Sequence, residues 1–257
     1  MMSDIKIDIR EDKIATVTLD RAPANAFTAQ MYDDLASAFY ELGERDDVAV
    51  IILRAAGKIF CGGNDTSAFD AFDTRTSAEV SARTCGKAVA SIWDCKKPVI
   101  GAIQGACMGS GFGMAAVCDF LIAGEGVKFG IPEVSLGIPA AGCFAELVLP
   151  LHIAKYMALT GTPLAAEELQ RWGVVMKVVP KEQVWAEAET FASKMAVGCY
   201  RAAGICKQFF NKNIDARLED KFMIEQRSFM DFMLDSHDFK EAIAAYNEKR
   251  KPEFNGR

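Results

Sequence analysis

Histidine is scarce in this chain of 257 residues, which contains only His152 and His237. A metal site built from several imidazoles is therefore excluded, and a serine–histidine triad has few candidates. Basic residues are also in deficit, 29 against 35 acidic ones, which gives a net charge of −6. Nucleic-acid phosphates are bound by clustered Lys and Arg, so we expect no nucleic-acid partner. The scarcity of histidine leads us to expect no metal either.

Long apolar runs and closely spaced cysteine pairs are missing as well. No hydrophobic stretch approaches the roughly 18 residues of a membrane span. The first residues show no basic segment followed by an apolar one, as a signal peptide would. We therefore predict a cytoplasmic protein with no membrane partner. The eight cysteines form no C-x-x-C pair and stand mostly among small or apolar residues, which favours buried, reduced thiols.

What the sequence does contain is enough apolar material, 51% of residues, for one large domain or a domain with an appendage. The hydrophobic patterns predict an α/β body of strand–helix units followed by an all-helical tail. Strands are predicted at 5–9, 14–19, 48–53, 98–103, 120–123 and 174–179. Helices are predicted at 28–45, 74–94, 144–149, 152–160, 184–197, 201–211, 218–234 and 239–249, with a short one opened by the glycine-rich run at 105–113.

The helical tail carries many aromatic residues and methionines. So much apolar surface on terminal helices predicts packing against a neighbouring subunit. The residues concerned are Phe209, Phe210, Phe222, Met223, Phe229, Met230, Phe232 and Met233.

The glycine-rich run has features of two known site types but matches neither. Gly111 opens a G-x-G-x-x-A pattern, and Glu133 follows about 20 residues later, as in dinucleotide-binding folds. However, the strand before the run ends near Ile103, and Glu133 lies just after a Gly–Pro turn, so this interpretation is disfavoured. Ser110 lacks the first glycine of the G-x-S-x-G motif of serine hydrolases.

A third interpretation uses the backbone. Residues 60–65 and 109–111 are glycine-containing loops after predicted buried strands, and glycine lets free N–H groups converge on one point. Two such donors form an oxyanion hole, each worth about 3–4 kcal/mol of the barrier. Tight packing of strand on helix explains the same glycines, and the residues alone leave both explanations open.

Eight segments in order carry a resemblance that covers nearly the whole chain. They are 19–27 (LDRAPANAF), 60–65 (FCGGND), 97–105 (KPVIGAIQG), 118–119 (CD), 129–133 (FGIPE), 136–139 (LGIP), 159–161 (LTG) and 246–252 (YNEKRKP). With them the chain resembles the crotonase (enoyl-CoA hydratase/isomerase) superfamily. The resemblance implies an α/β fold, a crotonase-like spiral of repeated β-β-α units, over residues 1–197. It also implies a C-terminal helical oligomerisation region over 198–257, forming a homotrimer or a dimer of trimers.

The resemblance also implies an acyl-CoA thioester substrate, so that coenzyme A enters with the substrate and no separate cofactor is needed. The backbone N–H groups of Asn64 and Ser110 would hold the thioester oxygen while an enolate forms, and Glu133 would be the catalytic acid/base. Tyr246 and Lys249 would reach the CoA nucleotide from a neighbouring subunit. The CoA and acyl channel would be lined by Ala24, Asn25, Ala26, Phe27, Asn64, Asp65, Thr66, Ser67 and Gly109.

A departure from the family pattern decides which activity we predict within the family. Hydratases of this family carry two glutamates; Glu133 matches the second, whereas Gly113 stands at the position of the first. Adding water usually takes two acids, but moving a double bond from C3 to C2 takes one. We therefore predict an enoyl-CoA isomerase with Glu133 as its single acid/base. The alternatives are hydration, thioester hydrolysis, C–C cleavage or decarboxylation with Asp65 or Glu146 as a second acid, and a non-enzymatic scaffold.

The sequence also departs from the family pattern around the predicted acyl channel. Asn64 replaces the usual small residue, and residues 140–144 replace a longer glycine-rich stretch. Phe69, Phe72 and Phe144 lie near these segments in the sequence. They suggest an apolar acyl chain, although phenylalanines in such regions are more often part of the core.

Overall fold

The protein is described by a computed structural model covering residues 3–67, 74–139 and 141–256. The strands are β1 Ile5–Ile9, β2 Ile14–Leu19, β3 Val50–Ala55, β4 Val99–Ile103, β5 Cys107–Met108, β6 Phe120–Gly124, β7 Lys128–Gly130, β8 Leu164–Ala165 and β9 Lys177–Val179. The helices are α1 Ala29–Glu44, α2 Arg75–Trp93, α3 Ser110–Ala116, α4 Gly142–Val148, α5 Leu151–Thr160, α6 Ala166–Arg171, α7 Val184–Ala196, α8 Tyr200–Lys212, α9 Leu218–Asp235 and α10 His237–Glu248.

Six strands form the main sheet in the order β1-β2-β3-β4-β6-β9. The hairpin β1–β2 is antiparallel and every later pair is parallel, beginning with Ile14 opposite Val50. Strands β3 and β4 are buried along almost their whole length, as expected for parallel strands covered on both faces. The remaining three strands form a small second sheet, β5-β7-β8. The predicted α/β fold class is confirmed.

Helix α1 shows how the sequence fixes the start and the buried face of a helix. Thr28 caps the helix by accepting a hydrogen bond from the Met31 N–H at 3.2 Å. Apolar residues recur at helical spacing and are buried, including Met31, Leu35 and Leu42. Tyr32, next to Met31 in the sequence, is buried as well.

Helix α8 is joined to the α/β body by a buried ion pair. Lys207 Nζ lies 2.8 Å from Asp119 Oδ2 and donates to the carbonyl oxygens of Ile92 and Lys97 at 3.0 and 3.2 Å. Burial raises the pKa of the Asp119 carboxyl, and the adjacent Lys207 ammonium opposes that rise. In contrast, the next helix, α9, contains no buried residue.

The small sheet and helix α6 were not predicted from the sequence. Strands β5, β7 and β8 have only two or three residues, too few for an alternating pattern to appear. The strand predicted at 174–179 is shorter in the structure, where β9 begins at Lys177. Among the described residues, no helix has both the length and the apolar character needed to cross a bilayer.

Candidate active site

Two glycine-containing loops meet at the centre of the candidate site. The first follows β3 and includes Gly63; the second follows β5 and includes Gly109. A Cβ atom placed on Gly109 would lie only 3.5 Å from the Gly63 Cα, so the two backbones are in contact. The Met108 N–H also donates to the Cys61 carbonyl at 2.9 Å, which fixes one loop beside the other. The residues that follow these glycines, Asn64 and Ser110, are therefore brought together.

The backbone N–H groups of Asn64 and Ser110 are available to a ligand. Gly62, Asp65 and Gly109 use their N–H groups to hold the loops, donating to the carbonyls of Ala24, Phe27 and Gly130 at 2.9 Å each. Within the described ranges, the N–H groups of Asn64 and Ser110 donate to no protein acceptor. Ser110 is the first residue of α3, where N–H groups have no partner in the helix. Two unpaired N–H donors on adjacent loops are what an oxyanion hole requires.

Glu133 lies directly over the second loop. It follows β7 and belongs to a short 3-10 helix, Pro132–Leu136. A Cβ atom on Gly109 would lie 2.5 Å from Glu133 Oε1, so only a glycine allows this approach, and Gly109 also has a positive φ of 54°. Glu133 Oε2 is buried without a hydrogen-bond partner in the described part of the chain. Burial raises the pKa of the Glu133 carboxyl, and its own backbone N–H partly opposes this.

The side chain of Phe144 occupies the space beside Gly113. A Cβ atom on Gly113 would lie 2.8 Å from both Phe144 Cδ2 and Cε2. Helices α3 and α4 thus pack with an aromatic ring against Gly113, the position where the resemblance implies the first glutamate of family hydratases. A longer side chain at position 113 has no room unless Phe144 moves. Phe144 is half-buried; Phe69 and Phe72 lie outside the described residues.

The two proposed second acids are not placed to act as free acids. Asp65 accepts hydrogen bonds from the Ser67 hydroxyl and from Arg21, both at 2.7 Å, and the Ser67 and Arg21 contacts lower the pKa of its carboxyl. Glu146 is exposed on α4 and is not among the described residues that line the central cavity. That cavity measures about 70 Å³. Its described lining is Gly62, Gly63, Asn64, Thr66, Gly109, Pro132, Glu133, Leu136 and Ile138.

The predicted channel segment 24–27 lies against the first loop and forms its outer edge, which we call the rim. Asn25 is buried, and its amide donates to the carbonyls of Ala56 and Ile59 at 2.9 and 2.8 Å while its Oδ1 accepts from the Arg21 N–H. Its side chain therefore holds the rim in place. The Ala26 carbonyl accepts from Arg21 at 2.8 Å, and Phe27 is buried beside Asn64 in an isolated β-bridge.

Tyr246 and Lys249 are not brought to Glu133 within one chain. Tyr246 is 82% exposed near the end of α10, and Lys249 caps that helix in a left-handed conformation. Neither is among the described residues that line the cavity. Among the described residues, no group of three or more His, Cys, Asp or Glu side chains is placed to hold a metal ion.

Tyr32 is a site residue that the sequence analysis missed. It is 4% exposed on α1, and its hydroxyl donates a hydrogen bond to Asn64 Oδ1. A tyrosine next to an apolar stripe is typical of core packing, and only the fold brings its hydroxyl to a residue 32 positions away. Asn64 was assigned to the site, but its side chain had no predicted role.

Comparisons with known proteins agree with the fold. A sequence model of the enoyl-CoA hydratase/isomerase family matches residues 10–257. A Rhodococcus jostii protein named (7aS)-7a-methyl-1,5-dioxo-2,3,5,6,7,7a-hexahydro-1H-indene-carboxyl-CoA hydrolase is 30% identical, over 95% of this chain and 91% of its own. A probable enoyl-CoA hydratase of Mycobacterium bovis is 33% identical, over 96% of both chains. The crystal structure of an enoyl-CoA hydratase from Mycobacterium smegmatis superposes with a TM-score of 0.93 at 27% identity, covering 98% of this chain and 99% of that one.

Proposed function

The chain belongs to the enoyl-CoA hydratase/isomerase family, and from that premise we propose that it shifts the double bond of an enoyl-CoA thioester from C3 to C2, with Glu133 as its single acid/base. The coarser statement, a crotonase-family enzyme acting on acyl-CoA, follows from the family itself. The observation that supports the finer one is the packing of Phe144 against Gly113, which leaves no space for a second acid there.

The proposed reaction needs few groups. The thioester oxygen accepts hydrogen bonds from the N–H groups of Asn64 and Ser110, and Glu133 removes a proton from C2. The electron pair of the broken C–H bond forms an enolate, whose negative charge the two donors stabilise by about 3–4 kcal/mol each. Glu133 then returns the proton to C4, the double bond settles between C2 and C3, and the carboxylate is regenerated. Coenzyme A is part of the substrate, so this chemistry calls for no metal or separate cofactor.

The partly buried environment of Glu133 supports its proposed role as the general base. A buried carboxylate with an unpartnered oxygen is a stronger base than an exposed one, because burial disfavours its charged form. A general base works best when its pKa approaches the working pH. The surrounding glycine backbones leave the carboxylate free to reach a substrate carbon.

The experiment is a side-by-side assay of 3-enoyl-, 2-enoyl- and 3-hydroxyacyl-CoA esters, together with deuterium exchange at C2 of an acyl-CoA in heavy water. We expect 3-enoyl-CoA to be converted fastest and exchange to occur. Glu133→Gln should lower both rates by about 10²–10⁴-fold, the usual contribution of a general base, and should still bind the ester. Glu146→Gln, an exposed carboxyl on α4, is the matched control and should retain activity.

Other results would contradict the proposal. Faster hydration of 2-enoyl-CoA than isomerisation would identify a hydratase. Hydrolysis, C–C cleavage or decarboxylation as the fastest reaction would replace the isomerase assignment with that one. A comparable loss in Glu146→Gln would identify a second acid. The absence of exchange with any ester would indicate a scaffold that has lost catalysis.

We also propose that the chain assembles as a homotrimer or a dimer of trimers, and that Tyr246 and Lys249 hold the CoA nucleotide bound to a neighbouring subunit. Two features support this. Helix α9 has no buried residue although it carries six exposed large apolar side chains, and Tyr246 projects into solvent. A cytoplasmic location is part of the same proposal, supported by the eight cysteines, all of which are free thiols.

A further inference from the structure

The direction of the Asn64 N–H is set by Phe27, which lies just before helix α1. Phe27 and Asn64 form an isolated parallel β-bridge. The Phe27 N–H donates to the Gly63 carbonyl, and the Phe27 carbonyl accepts from the Asp65 N–H, both at 2.9 Å. The C=O and N–H groups of a planar trans peptide point in opposite directions. Since the Gly63 carbonyl points at Phe27, the Asn64 N–H points away from it and is unpaired within the described ranges.

Gly63 gives this peptide little restraint of its own. Its φ is 105°, a region that glycine enters without strain, and it has no side chain to pack. The second proposed donor differs in this respect, because Ser110 is the first residue of α3 and the helix fixes the direction of its N–H. Rotation of the Gly63–Asn64 peptide would turn the Asn64 N–H away from a thioester oxygen. A further restraint on Asn64 therefore has a consequence for the proposed chemistry.

Tyr32 supplies that restraint through the Asn64 side chain. Its hydroxyl donates a hydrogen bond to Asn64 Oδ1. Ser110 Oγ lies near the same hydroxyl but makes no hydrogen bond with any described residue, so the single proton of the Tyr32 hydroxyl goes to Asn64. Burial raises the pKa of the Tyr32 hydroxyl far above its usual range, so the hydroxyl stays protonated and keeps donating.

Phe27 and Tyr32 are fixed relative to one another at the start of α1. Their ring centroids are 4.7 Å apart, and both side chains are buried. The Tyr32 N–H donates to the Thr28 carbonyl at 3.2 Å, and Thr28 follows Phe27 directly. The segment 27–32 therefore holds Asn64 at three points, namely the peptide on either side of it and its side chain.

We propose that Tyr32 is a positioning residue of the oxyanion hole, and that its hydrogen bond to Asn64 Oδ1 keeps the Asn64 N–H directed at the thioester oxygen. Tyr32 is not among the described residues that line the cavity of Glu133, whereas Asn64 is, so Tyr32 acts through Asn64. The inference rests on the proposed function, since it takes the thioester oxygen to lie on the N–H groups of Asn64 and Ser110. It gives the Asn64 side chain a role that a small residue at this position could not have.

Removal of the Tyr32 hydroxyl should slow the chemistry without weakening binding. We expect Tyr32→Phe to lower the rate of deuterium exchange at C2 of butyryl-CoA about tenfold, part of the roughly 10²–10³-fold that loss of a whole oxyanion-hole donor costs. The dissociation constant, measured by calorimetry on the full chain, should stay unchanged, because the donor matters most as negative charge develops on the oxygen. Tyr40→Phe, an exposed tyrosine on the same helix, is the matched control and should equal the wild type in both measurements.

The carbonyl stretch of the bound thioester reports on the positioning more directly. Infrared difference spectra of butyryl-CoA with and without a heavy carbon isotope at C1 isolate this band, and hydrogen bonds to the oxygen lower its frequency. We expect a lowered frequency on the wild type and on Tyr40→Phe, and a smaller lowering on Tyr32→Phe. General loss of packing would change the stability of the protein but not this frequency. In an Asn64→Ala background, Tyr32→Phe should cost no further activity, because the two side chains act as one unit.

An exchange rate and a carbonyl frequency in Tyr32→Phe equal to those of the wild type would overturn the inference and leave the enolate chemistry intact. A further tenfold loss when Tyr32→Phe is added to Asn64→Ala would also overturn it, since Tyr32 would then act through another group. If Tyr32→Phe does not fold, Asn64→Ala decides by the same two readouts, because it keeps the backbone N–H and loses only the acceptor of the Tyr32 hydrogen bond.

The wild-type spectrum separates this result from the fate of the proposed function. A frequency that is not lowered on binding would refute the oxyanion hole and the inference together. A lowered frequency that Tyr32→Phe reduces, without deuterium exchange at C2 in the wild type, would support the positioning role and refute enolate formation.

Discussion

Glu133 is a residue on which two physical effects act in opposite directions. Its place in the first turn of a 3-10 helix and its own backbone N–H favour the charged form, whereas burial against Gly109 disfavours it. Burial is the larger effect, and the pKa of the Glu133 carboxyl is raised. The folded protein therefore holds a partly desolvated carboxylate at some expense in stability, as the proposed role of a general base requires.

The raised pKa of Glu133 predicts how activity and thermal stability depend on pH. If Glu133 acts as the base, its deprotonated form is required, and kcat/KM should rise with pH through a value above the usual glutamate range near 4.3. Because the pKa is raised in the folded state, protonated Glu133 favours folding below its unfolded pKa. That contribution is lost as pH rises through the folded pKa. Glu133→Gln should accordingly raise Tm at pH 7 and give a smaller gain at pH 4.

The measurement is thermal unfolding of the wild type and Glu133→Gln at both pH values, beside a pH profile of C2 exchange. Glu146→Gln serves again as the exposed control and should change Tm equally at the two pH values. A Glu133→Gln variant less stable than the wild type at pH 7 would show that the carboxylate stabilises the fold, contrary to its desolvated state.

At the scale of elements, the contact between α3 and α4 determines what the site can hold. The two helices meet through Gly113 and the Phe144 ring. The neighbouring helix thus fills the space where the proposal lacks a second acid. If that proposal holds, a single substitution at position 113 should not be enough to supply one.

The contact predicts a difference between two variants. Gly113→Glu alone should lower the free energy of unfolding by about 1–3 kcal/mol, the usual cost of overpacking a core, and should show no hydration of 2-enoyl-CoA. Combining it with Phe144→Ala opens the space, and we expect recovery of stability and measurable hydration. Denaturant unfolding and the hydration assay check both. A single Gly113→Glu variant as stable as the wild type would mean that the ring moves freely and does not exclude a second acid.

The sequence predicted these elements unevenly, for physical reasons. Long periodic segments such as α1 and α2 were predicted to within a residue or two, because Thr28 and Thr74 cap them and their apolar spacing is regular. The short strand that carries Glu133 to the site was missed, since three residues show no period. Tyr32 was missed as a site residue, and Phe144 was considered only as a lining of the acyl channel. Their contacts with Asn64 and Gly113 are created only by the tertiary fold.

At the scale of the whole molecule, helix α9 exposes apolar side chains that no other part of the described chain covers. Monomeric proteins rarely expose large contiguous apolar patches. The helix also lies beyond α8, which the buried Lys207–Asp119 pair fixes to the body, so its position is set by the rest of the chain. Its exposed apolar side chains are Leu218, Phe222, Met223, Phe229, Met230 and Leu234.

The last prediction is that the assembled molecule builds each site from two chains. Sedimentation should give three or six times the mass of one chain, and Phe222→Glu on α9 should shift the protein towards monomer. Val80→Glu, at an exposed position of α2, should leave the assembly unchanged. If Lys249 serves a neighbour, Glu133→Gln and Lys249→Ala chains should complement one another. When co-assembled, an intact Glu133 on one chain meets an intact Lys249 on the next, and activity should return above that of either variant alone. If Lys249 acts in its own chain, every mixed site keeps one defect and no activity returns.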